Sequence, residues 1–145
     1  MSNWNKRYAS EFNNLHEAME AHKEEASLYD YGKAYKAGVN LSDYGYARKS
    51  ATHNEVMKAH KSGIDVFDYG YTRSPLVGAT HNEVMKAHKS GISLDSYSSA
   101  RESGATHEET MQAHAAGASV YDYGHARQCG SSHSKAIEDS LALGE

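Results

Sequence analysis

The chain has 145 residues and a formal net charge of −4 with neutral histidines, which suits one ordinary domain or one short array of repeats. Leu, Ile, Val and Phe number only 18 against 20 Ala and 11 Tyr, so a bulky aliphatic core is excluded. No apolar stretch is long enough for a membrane span or a secretory signal, and we expect a cytoplasmic, intracellular protein. The mildly acidic balance argues against nucleic acid as a partner.

Internal repetition is the main feature of the chain. Residues 51–64, ATHNEVMKAHKSGI, recur letter for letter at 79–92, and a relative, ATHEETMQAHAAGA, begins at Ala105. A second type of segment lies around these blocks, as in VNLSDYGYAR, IDVFDYGYTR and ASVYDYGHAR. Most units of both types have a helix-capping residue, an acid three places later, an alanine seven places later and a glycine eleven places later. In chain order the predicted caps are Ser2, Asn14, Ser27, Asn40, Thr52, Asp65, Thr80, Ser93, Thr106, Ser119 and Ser132.

Each shared position has a mechanical role in a short helix. The cap side chain accepts a hydrogen bond from an unpaired helix amide, and the acid three places later reaches back to the amide of the cap. Glycine ends a helix because it adopts the left-handed conformation at little cost. We expect such ends at Gly38, Gly63, Gly91, Gly104, Gly117 and Gly130. The pattern predicts an all-α, solenoid-like array of about eleven helices, with a period of roughly 13 residues per helix and 26 per two-helix repeat.

The repeats predict one α-helical repeat domain over residues 1–145. Residues 74–78, SPLVG, contain the only proline and lengthen one step, so an irregular break is expected there. Residues 1–13 and 131–145 are predicted to be end caps.

Helical phase predicts a core stripe at positions one, four, five and eight after each cap. Glycine recurs at position five, as in Gly70 and Gly124, although a glycine inside a helix costs about 1 kcal/mol relative to alanine. We therefore expect another side chain to approach closely at these notches. The methionines at position five of the other unit type are the predicted partners: Met19, Met57, Met85 and Met111.

The ten histidines suggest a metal site, but their spacing does not fit one. His53 and His60 are seven residues apart and thus about 10 Å apart along a helix, whereas zinc ligands lie near 2 Å from one ion. Last-turn residues such as His60 and Arg48 are expected to complement helix carboxyl ends, and His53 at a helix start is expected to resist protonation. We predict no metal and no cofactor.

Catalytic patterns are weak throughout the chain. Every Ser or Thr near a His and an acid, such as Thr52, is accounted for as a cap, and repetition suits architecture better than one active site. No glycine-rich phosphate loop is present, and the single Cys129 is interpreted as a bystander thiol. We predict no catalytic residue and no enzymatic activity; a histidine- or metal-assisted hydrolase is the alternative.

An excess of aromatic residues at positions two and six is the strongest sign of a binding surface. These side chains lie roughly 100° or more from the core stripe, and tyrosine is enriched at protein interfaces. The predicted binding residues are Tyr29, Tyr46, Phe67, Tyr71 and Tyr121. The alternative is that these rings fill gaps between neighbouring helices.

The alternating GATHNEVMKAH and DYGYAR segments resemble the short tandem α-helical repeats of bacteriophage and actinobacterial proteins, over nearly the whole chain. The resemblance implies a style of repeat and no activity. An ankyrin repeat is excluded because its unit is longer and contains a TPLH phrase. The leading hypothesis is a non-enzymatic scaffold that binds a protein partner or assembles with itself as a homo-oligomer. A phage virion or accessory structural protein is an alternative that the resemblance implies.

Overall fold

The computed structural model describes residues 28–143, which form nine α-helices and contain no strand. The helices are α1 (Leu28–Lys36), α2 (Leu41–Arg48), α3 (His53–Lys61), α4 (Val66–Arg73), α5 (His81–Lys89), α6 (Leu94–Glu102), α7 (His107–Ala115), α8 (Val120–Gln128) and α9 (His133–Leu143). The all-α prediction is confirmed for these residues. The described part has nine helices rather than the eleven predicted, because the units at Ser2 and Asn14, together with the end cap at 1–13, lie outside it.

Each of the nine helices begins one residue after a predicted cap. Thr52, Thr80 and Thr106 form complete capping boxes, in which the threonine hydroxyl accepts from the amide three places on and the glutamate there accepts from the threonine amide. Ser93 precedes α6, but its side chain makes no capping hydrogen bond.

The helix ends also follow local chemistry. All six glycines predicted to stop helices have positive φ, between 85° and 104°. Gly78, in the predicted irregular segment, has φ of 77°, and its amide donates to the carbonyl of Ser74 just beyond the end of α4. The apolar residue after the glycine is buried at Val39, Ile64, Ile92 and Ala118, which fixes how the chain enters the next helix.

The chain divides into two compact units between Gly70 and Tyr71, inside α4. The described first unit contains α1 to α3 and the start of α4, and the second contains α5 to α9. In the second unit, α8 packs mainly against α6 and α9. The largest fully buried side chains are the position-four tyrosines: Tyr31, Tyr44, Tyr69, Tyr97 and Tyr123.

Mid-helix glycines allow helices of the DYG type to approach one another. In the first unit a Cβ on Gly70 would lie 2.9 Å from Cα of Ala47, and in the second a Cβ on Gly124 would lie 3.1 Å from Cα of Ala100. The predicted methionine partners are therefore wrong for these two glycines; the nearest atoms come from another DYG-type or related helix. Met57, Met85 and Met111 are half-buried, and Met19 lies outside the described residues.

None of the helices within residues 28–143 combines the length and the apolar character that a bilayer crossing requires.

Candidate functional site

The five predicted binding residues fall into two groups according to their helix position. The position-two rings are exposed: Tyr29 by 69%, Phe67 by 48% and Tyr121 by 65%. The position-six rings, Tyr46 and Tyr71, are half-buried. Tyr29, Tyr46 and Phe67 belong to the first unit, whereas Tyr71 and Tyr121 belong to the second.

Each position-six ring has a neighbour in its own unit. The ring of Tyr46 stacks on that of Phe67, with centroids 5.2 Å apart and planes 20° apart. The hydroxyl of Tyr71 donates to a carboxylate oxygen of Glu102. Tyr46 thus fills a gap between helices, as expected if these rings serve packing. It also supports the exposed ring of Phe67. The ring of exposed Tyr29 has the ammonium of Lys33 4.6 Å from its centroid.

A polar cluster joins three successive helices in the first unit. Arg48 Nη1 on α2 donates to Asp30 Oδ2 on α1 at 3.2 Å and to the hydroxyl oxygen of Tyr44 at 3.0 Å. That hydroxyl lies 2.6 Å from Nδ1 of His53, the first residue of α3. Because the guanidinium can only donate, the tyrosine oxygen accepts from Arg48, and its own O–H is left able to donate to Nδ1 of a neutral His53.

The same cluster occurs twice in the second unit. Its members there are Glu83, Tyr97, Arg101 and His107, and then Glu109, Tyr123, Arg127 and His133. The distances from tyrosine hydroxyl to Nδ1 are 2.8 and 2.6 Å. In the last cluster His133 Nε2 lies 3.0 Å from the amide oxygen of Gln112, which fixes that nitrogen as the protonated one.

The pKa shifts show that burial favours the neutral forms of Tyr97 and His53 beside charged partners. Burial raises the pKa of Tyr97 to about 12, although Arg101 opposes the shift. Burial also lowers the pKa of His53, against the attraction of Asp30 and together with the repulsion of Arg48 and Lys33. The pKa of Glu109 is lowered by the hydrogen bond from the Thr106 amide and by Arg127.

The clusters form contacts between successive helices. Every tyrosine hydroxyl in them contacts both an arginine and a histidine. The arginines, predicted to complement helix carboxyl ends, lie in the last turns of their helices, and each also reaches an acid on the preceding helix. Arg48 alone also donates, through Nε, to the carbonyl of Ala51 beyond its helix end.

Last-turn histidines contact a carbonyl two helices away. His60 Nε2 lies 3.0 Å from the carbonyl oxygen of Ala37, just after α1, and His114 Nε2 lies 2.9 Å from that of Ser90, just after α5. The predicted complement to helix carboxyl ends is therefore present, but it acts on a neighbouring helix.

A groove of about 460 Å³ opens in the second unit. It lies between the loop after α5, the loop after α7 and residues near the end of α9. Its lining combines hydroxyl groups, glycine backbone and two exposed apolar side chains, and includes Ser93, Ser96, His114, Gly117, Ser119, Tyr121, Ser140 and Leu141. Of these lining residues, only Tyr121 was predicted from the sequence to bind a partner. The sequence difference that could have indicated the groove is Ser140 at position eight of α9, because α3 and α7 have histidine at that position.

Within the part of the chain that the structure describes, no group of three or more His, Cys, Asp or Glu side chains could hold a metal ion. Comparison with known proteins found no matching protein family, no matching curated protein and no matching solved structure.

Proposed function

We propose that the chain is a non-enzymatic, solenoid-like helical-repeat scaffold that binds a protein, either a partner or a second copy of the chain, through exposed aromatic side chains. The observation that carries the proposal is the contrast between two helix positions. At position four the tyrosines have no exposed surface, whereas at position two Tyr29, Phe67 and Tyr121 keep about half or more of theirs. A large aromatic ring left in water on a rigid helix is typical of a protein interface.

Rigid helices favour binding because their side chains lose little freedom on association. Phe67 is held by its stacking on Tyr46, and Tyr121 lies one residue after buried Val120 at the start of α8. The recurrence of one polar cluster in the same geometry supports architecture over a hydrolase, since catalysis needs a site in one place.

The test compares two sets of exposed residues. The triple variant Tyr29→Ser, Phe67→Ser and Tyr121→Ser is expected to lose self-association in sedimentation, or capture of a partner identified from the native source, while its circular dichroism stays helical. Leu76→Ser is the matched control, because Leu76 is 70% exposed but lies outside the helices. Equal loss in the control, or undiminished binding by the triple variant, would reject the proposal.

A further inference from the structure

One side of α8 carries the residues that, elsewhere in the repeat, face the next helix of the DYG type. Positions six and seven of α2 are Tyr46 and Ala47, and both lie against Gly70 of α4. The same positions of α8 hold His125 and Ala126. Ala47 is fully buried, whereas Ala126 is half-buried and His125 is exposed. This side of α8 is therefore accessible to a further contact.

Cys129, which follows α8 directly, is exposed and lies beside His125. Its Sγ is 3.9 Å from His125 Nε2, four residues earlier in the chain. A zinc ion holds a thiolate sulfur at about 2.3 Å and an imidazole nitrogen at about 2.1 Å, so in a tetrahedral site these two atoms lie about 3.6 Å apart. Small rotations of the two exposed side chains close the difference. The spacing of this pair thus fits one zinc ion, unlike the seven-residue spacing of His53 and His60.

Two donors fill only half of a tetrahedral zinc site. In the described part of the chain, no group of three or more His, Cys, Asp or Glu side chains could hold the ion alone. A two-fold contact between two copies of the chain brings the same pair to the ion twice. The result is a set of two cysteines and two histidines, which is a common ligand set of structural zinc. The small side chain of Ala126 allows a second helix to approach closely, as Ala47 and Ala100 do within their own units.

We infer that His125 and Cys129 form one half of a Zn²⁺ site, and that a second copy of the chain supplies the other half across the accessible side of α8. The Cys129 thiol releases its proton to solvent on binding, because the thiolate is the zinc ligand. The inference does not rest on the proposed scaffold function. Self-association through Tyr29, Phe67 and Tyr121 persists when zinc is removed, whereas the zinc contact is lost, so the two fail separately.

The experiment measures the mass of the full chain by sedimentation equilibrium, with a phosphine reductant present so that no disulfide forms. A sample with added ZnCl₂ is compared with one treated with EDTA. Zinc is expected to double the mass relative to the EDTA-treated sample, at a ratio of one ion to two chains, and EDTA is expected to reverse the change. An unchanged mass, or saturation at one ion per chain without a change of mass, overturns the inference.

Four variants locate the contact, and circular dichroism checks that each stays helical. Cys129→Ser and His125→Ala each remove one donor at an exposed position and should lose the zinc-dependent doubling. Ala126→Glu keeps both donors but places a large charged side chain where the second copy must approach, and should also lose it. Gln128→Ala is the matched control, because Gln128 is exposed in the last turn of α8, and should double in mass like the wild type.

Cobalt(II) in place of zinc reports on the ligands directly. The wild-type chain should show the charge-transfer absorption of a cobalt–thiolate bond, and Cys129→Ser should lose it. Full zinc-dependent doubling by Cys129→Ser, or loss of the doubling in folded Gln128→Ala, contradicts the inference.

Discussion

Gly70 and Ala47 lie so close that a Cβ added to Gly70 would meet Cα of Ala47 at 2.9 Å and Cδ2 of Tyr46 at 3.0 Å. Real Cβ atoms do not approach a backbone carbon so closely, so the glycine is required by the contact between α2 and α4. This contact explains why a glycine, which lowers the stability of a helix, lies in the middle of α4.

Gly70→Ala is therefore expected to lower the free energy of unfolding by about 1–3 kcal/mol, because the overpacking exceeds the gain of about 1 kcal/mol in helix propensity. Gly124→Ala, whose Cβ would lie 3.1 Å from Ala100, is expected to change stability less. Urea denaturation of both variants checks the order. A Gly70→Ala protein more stable than wild type would contradict this explanation of the glycine.

Thr72 lies at position seven of its helix and contacts Ser98 at position five of another. In the contact between Ala100 and Gly124, the same two positions hold alanine and glycine. The hydroxyl oxygens of Thr72 and Ser98 are 2.9 Å apart and buried. Thr72→Ala or Ser98→Gly alone is expected to cost about 1–3 kcal/mol, because a buried hydroxyl loses one hydrogen bond. The double variant restores the alanine and glycine pair and should cost less than the two single losses together. Additive losses in a double-mutant cycle would show that the hydroxyls are not coupled.

Tyr97→Phe removes a buried hydroxyl that accepts from Arg101 at 2.6 Å and is hydrogen-bonded to His107 Nδ1 at 2.8 Å. We expect a loss of about 1–3 kcal/mol, since both partners are left with one hydrogen bond fewer. Tyr121→Phe is the matched control, because Tyr121 is exposed, and should stay within about 0.5 kcal/mol of wild type. Thermal unfolding at neutral pH compares the two; similar effects would mean that the cluster contributes nothing.

Acid is expected to destabilise the protein through His53. Burial lowers the pKa of His53 in the folded chain below its ordinary value of 6.5, so the neutral form stabilises folding. That contribution is fully present above pH 6.5 and is lost as the pH falls below it. Protonation of Nδ1 would also leave the Tyr44 hydroxyl without an acceptor.

The melting temperature should therefore fall between pH 8 and 5.5, and the fall should be smaller in His53→Gln. His133→Gln is the control for loss of the tyrosine contact alone, because His133 Nδ1 lies 2.6 Å from the Tyr123 hydroxyl oxygen. If His53→Gln keeps the full wild-type pH dependence, another group is responsible.

The beginnings and ends of the helices could be predicted from the sequence because capping and glycine stops are local. The threonine caps and the positive φ of Gly63 or Gly117 depend on residues within a few positions. Partners between helices could not be derived in this way. The predicted core stripe omitted position seven, yet Ala47 and Ala100 are fully buried because neighbouring helices cover them.

The exposure of the candidate binding residues could be predicted only in part. Tyr29, Phe67 and Tyr121 are exposed as a binding surface requires, but Tyr46 could be recognised as a packing residue only from its contact with Phe67. The groove could not be predicted because the contact of His114 with the Ser90 carbonyl, which Ser140 is too short to repeat from α9, is visible only in the structure.

The central claim is that the repeat sends position-four rings into the core and position-two rings into solvent. Aromatic NMR signals measured with a soluble paramagnetic agent test it most directly. We expect strong attenuation for Tyr29, Phe67 and Tyr121 and protection for Tyr44, Tyr97 and Tyr123. Equal attenuation of both sets, or protection of the position-two rings, would contradict it.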